Sequence, residues 1–110
     1  MDLILVVCGA GASSTFLASR MRALATERGL DVTARPASTV GLESRLPGAS
    51  VLLVGPHLEP SFSDLAAEAA GHGVVAALLP STAFGPQGAS DALDQALALL
   101  STTTEGLSHA

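Results

Sequence analysis

The sequence predicts an α/β domain: a three-layer sandwich in which a four-stranded parallel sheet is flanked by helices. Two observations carry that expectation. Short runs rich in Val, Ile and Leu recur along the chain, at 3–7 (LILVV), 50–55 (SVLLVG) and 74–79 (VVAALL), with a weaker one at 31–36 (DVTARP). Runs of this length, apolar on both faces, suit the buried strands of a parallel sheet. Between them lie segments with helical spacing, so the order reads β-α-β-α-β-α-β-α, which builds a parallel sheet with helices on both sides.

The elements follow in order. After the first run, Leu17, Met21 and Leu24 recur at helical spacing, with Ser13 or Ser14 placed as N-cap and Gly29 as the stop. Segment 38–46 has room for a short helix. Residues 61–71 start at Ser61 and end at Gly71, with Phe62, Leu65 and Ala69 on one stripe. Leu93, Leu97 and Leu100 form a last stripe behind a Ser90 cap. One domain is expected over residues 1–101. The segment 102–110 is polar and aperiodic, the pattern of a frayed tail.

Composition narrows the function. Charged residues are 14% of the chain, against roughly 25% in ordinary soluble domains, which leaves apolar surface for a partner. The net charge is −5, lysine is absent, and the five Lys+Arg residues, all arginine, are scattered along the sequence. A nucleic-acid groove needs clustered basic charge, so nucleic acid is not an expected partner. The single cysteine forms no internal disulfide, in keeping with a reducing cytoplasm. No run approaches the ~20 residues of a membrane span, and MDLILVVCG lacks a basic leader region, so no direct membrane insertion is expected.

The chemistry is expected at Cys8, where the first apolar run gives way to Gly9, Ala10, Gly11, Ala12, Ser13, Ser14 and Thr15. Ligands of open α/β sheets bind beyond the carboxyl ends of the strands. The loop leads into a helix start, whose unpaired N–H groups and partial positive charge suit an anion. The same field should hold the Cys8 thiol partly ionised, with a pKa below that of free cysteine. A nucleophile and an oxyanion receptacle in one loop point to a cysteine that carries a phosphoryl group. The bland alternative is a small apolar cysteine beside a common Gly-rich turn, in a non-catalytic nucleotide-binding or interaction module.

Three other loop chemistries can be compared letter by letter. A Walker loop requires a lysine, and there is none. A dinucleotide fingerprint requires a third glycine where Ser14 stands and an acid at the end of the second strand, whereas Asp31 lies at its beginning. The low-molecular-weight tyrosine phosphatases, whose flavodoxin-like fold the predicted order resembles, place an arginine in the slot held by Ser14. Without that guanidinium, hydrolysis lacks its main electrostatic clamp. A hydrolase of the phosphatase or arsenate-reductase kind is therefore the second reading.

The chain resembles the IIB components of the bacterial phosphoenolpyruvate-dependent sugar phosphotransferase system, lactose/cellobiose/chitobiose type. Their phosphocysteine loop, similar to C-S-A-G-M-S-T-S, is matched by C-G-A-G-A-S-S-T at 8–15, and their S-K-M-R by S-R-M-R at 19–22. A G-P-Q after the third strand is matched by Gly55, Pro56 and His57, and a Tyr-Gly pair after the fourth by Phe84 and Gly85. His57 departs from the usual glutamine, and Pro80 stands where relatives often have an acid. Galactitol- and ascorbate-type IIB proteins begin similarly and form the alternative within the same system.

The resemblance implies a cytoplasmic phosphotransferase. Cys8 would accept a phosphoryl group from a phosphohistidine of a IIA protein. It would then pass the group to a sugar, a β-linked disaccharide, held by the membrane permease IIC. No cofactor and no metal are implied, and the His and Cys spacings match no ligand pattern. His57 and Arg20 are candidate partner or phosphate contacts, each also readable as a solvated residue. Arg22 reads as part of a solvated helix face. His72, between glycines, suits a helix end, and His109 lies in the tail. Glu59 and Asp64 are carboxylates away from the loop where the phosphatases keep their general acid. A monomer is expected, because a self-interface over Cys8 would block both partners.

Overall fold

The structure, a computed structural model, describes residues 2–8 and 11–109, and of residues 11–13, 84 and 101–109 the backbone alone. Four strands and four helices alternate: β1 (Asp2–Val7), α1 (Gly11–Glu27), β2 (Val32–Ala37), α2 (Leu42–Arg45), β3 (Val51–Val54), α3 (Phe62–Ala70), β4 (Val75–Leu78) and α4 (Gly88–His109). Short 3-10 turns at Pro56–Ser61 and Ser81–Phe84 follow β3 and β4. The strands pair in parallel in the order β2-β1-β3-β4, as expected for the flavodoxin-like α/β class.

The pleat sorts the strand side chains into two apolar layers. Ile4, Val6, Val51 and Leu53 face α1 and α4, where they meet Leu17, Met21, Leu93 and Ala96. Leu5, Val7, Leu52 and Val54 face the other way, against Leu42 and Leu46 around α2 and Leu65 and Ala69 of α3. Because β1 and β3 lie in the middle of the sheet, both their faces are covered, which explains their unbroken apolar runs. The predicted stripes face these layers: Met21, Leu65, Ala69 and Leu93 are buried, and Phe62, Leu97 and Leu100 pack at the margins.

Several helix ends differ from the sequence expectation. Helix α1 opens at Gly11, so Ser13 and Ser14 stand inside its first turn and neither is the N-cap. Helix α4 opens at Gly88, and Ser90 lies within it, where its Oγ accepts a hydrogen bond from Arg28 Nη2 at 2.8 Å. Ser61 does precede α3, but its side chain makes no cap bond because the 3-10 turn already feeds the helix. The stop at Gly29 is as expected. Its φ of 68° is left-handed, and Leu30 N donates to Ala25 O while Gly29 N donates to Thr26 O, the paired bonds of a Schellman end. The backbone of α4 continues through 102–109, the segment read from sequence as a frayed tail, whose side chains lie outside the described residues. Among the described residues no helix is long and apolar enough to cross a membrane.

Candidate functional site

Strand order puts the topological switch point of the sheet between the carboxyl ends of β1 and β3, because the connections from these two central strands lead to opposite sides of the sheet. Val7 is the last paired residue of β1, opposite Ala37 of β2 and Val54 of β3, and Cys8 is the next residue. Gly55 N donates to Val7 O at 2.7 Å and carries the β3 chain tightly past Cys8. Cys8 shares the parity of Ile4 and Val6, so it joins the layer beneath α1 and α4 and is only 6% exposed.

That burial overturns the expected low pKa. Desolvation pushes the Cys8 thiol up to about 11, because charge on a sulfur packed among apolar side chains loses its hydration. The helix start that follows the cysteine would favour a thiolate, but the pleat of β1 turns the sulfur toward the core.

Of the predicted cradle, Gly9 and Ala10 lie outside the described residues, as do the side chains of Gly11, Ala12 and Ser13. The backbone of Gly11–Thr15 is the opening of α1 rather than a loop, so the strand-to-helix connection is shorter than the sequence suggested. Ser14 is 1% exposed and Thr15 is exposed. His57 sits exposed in the 3-10 turn that begins directly after Gly55. Arg20 lies over the Phe16 ring, 5.6 Å from its centroid, on an outward face of α1. His72 is in the turn leaving α3, with its N–H bonded to Ala69 O, as its sequence position suggested.

Sequence reasoning missed two features of this edge. The first is the pair of 3-10 turns after β3 and β4; each follows a proline-bearing strand exit, at Pro56 and Pro80, and that shared pattern was the available signal. The second is the placement of the arginines. They are scattered in sequence, yet Arg22, Arg35 and Arg45 line one cleft of about 450 Å³ beside β2.

The lactose/cellobiose-specific IIB subunit family of the PTS matches residues 3–95. The fold is similar to that of the lactose-specific IIB component domain of the phosphoenolpyruvate:carbohydrate phosphotransferase system from Streptococcus pneumoniae, with 18% identity and a TM-score of 0.73 over 88% of this chain and 95% of that one. It is similar also to the cellobiose-specific phosphotransferase IIB component from Borrelia burgdorferi, with 21% identity and a TM-score of 0.74 over 92% of this chain and 93% of that one. No curated protein sequence matches the chain. With the family match spanning most of the sequence and the parallel fold agreeing, the chain belongs to the lactose/cellobiose-specific IIB subunits of the PTS, components of sugar transport and phosphotransfer.

Proposed function

We propose that Cys8 carries the phosphoryl group in this sugar phosphotransferase component, taking it from a phosphohistidine of a IIA protein and delivering it to a sugar bound by the IIC permease. The observation that carries the proposal is the position of Cys8, the sole cysteine, at the carboxyl end of β1, at the switch point of the sheet and ahead of the start of α1. Residues Gly9 to Thr15 would hold the phosphoryl oxygens through backbone N–H groups and through the Ser13, Ser14 and Thr15 hydroxyls. His57 and Arg20 would face the partner.

The buried, protonated thiol fits such an exchange. In the first step the sulfur–phosphorus bond forms and the nitrogen–phosphorus bond of the donor breaks. The departing imidazole nitrogen needs a proton, and the thiol holds one. In the second step a sugar hydroxyl oxygen bonds to phosphorus, the sulfur leaves, and the hydroxyl proton restores the thiol. Positioning and charge stabilisation supply most of the acceleration in transfers of this kind. Ser14 in place of the phosphatase arginine withholds the cation that would favour hydrolysis. The sugar would be a β-linked disaccharide, the protein cytoplasmic, and the working form a monomer that leaves the Cys8 edge open to its two partners in turn.

The test is phosphorylation by phosphoenolpyruvate, the general phosphotransfer proteins and a matching IIA. One phosphoryl group should appear on Cys8 sulfur, and Cys8→Ser should abolish it with the fold intact. Labelling that survives in Cys8→Ser, or that maps to His57, would overturn the assignment.

A further inference from the structure

The arginine cleft lies along the free side of the sheet. Strand β2 is an edge strand, paired only with β1, and α2 is four residues long, too short to cover the β2 face it packs on. Arg22 reaches the edge from α1 and donates from Nη1 to Ala34 O at 2.7 Å. Arg45, on α2, donates from Nη2 to Pro36 O at 3.2 Å. Arg35 projects from β2 between them, and Thr33 and Pro36 complete the lining. Each of the two carbonyl bonds uses one of the five N–H donors of a guanidinium and fixes its position, leaving the remaining donors for the cleft. Among the described residues no carboxylate pairs with Arg22, Arg35 or Arg45, and the ion pair of Arg28 with Asp94 lies elsewhere.

Three of the five arginines therefore converge, with no counterion among the described residues, in a chain that carries ten Asp and Glu residues and no lysine. Capping the carbonyls of an edge strand explains two of these guanidiniums but not Arg35, which bonds to nothing among the described residues. The cleft volume of about 450 Å³ falls within the range of small-molecule sites. A second cavity of about 260 Å³ shares Pro36 and Arg45 with it and extends past Ser38 toward Ser14 and Thr15.

We propose that the β2-edge cleft formed by Arg22, Arg35 and Arg45 is a binding site for a small multivalent anion bearing phosphate or carboxylate groups. Planar guanidiniums match the oxygens of both groups in a forked geometry, and three of them favour a ligand with more than one charge. The proposal does not depend on the chemistry of Cys8.

The test is a titration of the isotope-labelled protein with pyrophosphate, and separately with citrate, at constant ionic strength. Saturable amide and guanidinium shifts should centre on Arg22, Thr33, Arg35 and Arg45. Stronger binding of pyrophosphate identifies a phosphate ligand, and stronger binding of citrate a polycarboxylate. Arg35→Gln, an exposed position with no bond to lose, should weaken binding about tenfold or more, and Arg28→Gln should leave it unchanged. Shifts that never saturate, shifts confined to Cys8 and the first turn of α1, or an affinity indifferent to Arg35→Gln would overturn the site. Binding of an Asp- and Glu-rich peptide with no saturable response to either small anion would assign the cleft to a protein partner and overturn it equally.

Discussion

Gly55 and Cys8 are in contact across the ends of β3 and β1: a Cβ placed on Gly55 would lie 3.1 Å from Cys8 Sγ and 3.3 Å from Cys8 Cα and Cβ. Two strand ends thus approach as closely as a missing side chain permits. The glycine that opens the G-P-x after β3 leaves room for the cysteine.

Gly55→Ala tests this contact. The new methyl has to displace the sulfur or the backbone of Cys8, and overpacking of this kind costs about 1–3 kcal/mol. Denaturant unfolding should show that loss, and, if Cys8 is the phosphoryl acceptor, phosphorylation by IIA should slow because the sulfur moves. Cys8→Ala removes the sulfur, so the double variant should lose less than the two single variants added together. Strict additivity would show that the contact carries no strain.

Gly88→Ala should be worse, and opposite in sign to the usual rule. Within a helix, glycine to alanine ordinarily stabilises by about 1 kcal/mol. Here the Cβ would fall on the carbonyl group of Ala83, so the start of α4 and the 3-10 turn after β4 cannot both keep their places. A destabilisation of about 3 kcal/mol or more is expected, in the range of severe core changes. An unchanged unfolding midpoint would be incompatible with this packing.

The thiol gives a pH prediction. Its value rises from 9.0 to about 11 on folding, so the native state holds the Cys8 proton more tightly than the unfolded chain. Below pH 9 both states are protonated and this contribution is fully present. As pH rises from 9 through 11 the unfolded state ionises first and stability falls, by up to about 3 kcal/mol. Urea midpoints for the wild type and Cys8→Ser should therefore diverge in this range, with the wild type losing more. At pH 7 alkylation by iodoacetamide should run about a hundredfold slower than for a free thiol, since only thiolate reacts. Fast alkylation at neutral pH would show an ionised sulfur and contradict the burial argument.

The legibility of the sequence follows from what spacing can and cannot encode. Strands β1 and β3 were plain because central strands are apolar on both faces, whereas β2 read weakly because Thr33, Arg35 and Pro36 belong to an edge. Helix stripes were plain for the same reason of one-sided burial. Helix starts were not, since Ser13, Ser14 and Ser90 look like caps. The steric reason α4 opens at Gly88, its passage against Ala83, is a contact between elements that local sequence does not report. The arginine cleft was invisible because residues 22, 35 and 45 belong to three elements and meet only through the edge position of β2. The burial of Cys8 could have been found: counting by twos from Ile4 and Val6 reaches it.

The last prediction concerns the apolar side chains that the fold leaves outside. Phe16, 58% exposed, follows the first turn of α1, and Val40, 86% exposed, follows the end of β2. Both therefore flank the sheet edge that carries Cys8, and among the described residues both are unusual in being large, apolar and exposed. If that edge receives the IIA protein, these two residues supply contact area at the centre or rim of the interface. Phe16→Ala and Val40→Ser should then change the stability of the isolated protein by less than about 1 kcal/mol, the range expected when a surface stack such as that of Phe16 and Arg20 is lost. They should nonetheless raise the IIA concentration needed for half-maximal phosphorylation several-fold while leaving the maximal rate nearly unchanged. That split separates lost docking from damaged chemistry. A fall in the maximal rate at unchanged half-saturation would place both residues in support of the site rather than on the docking surface.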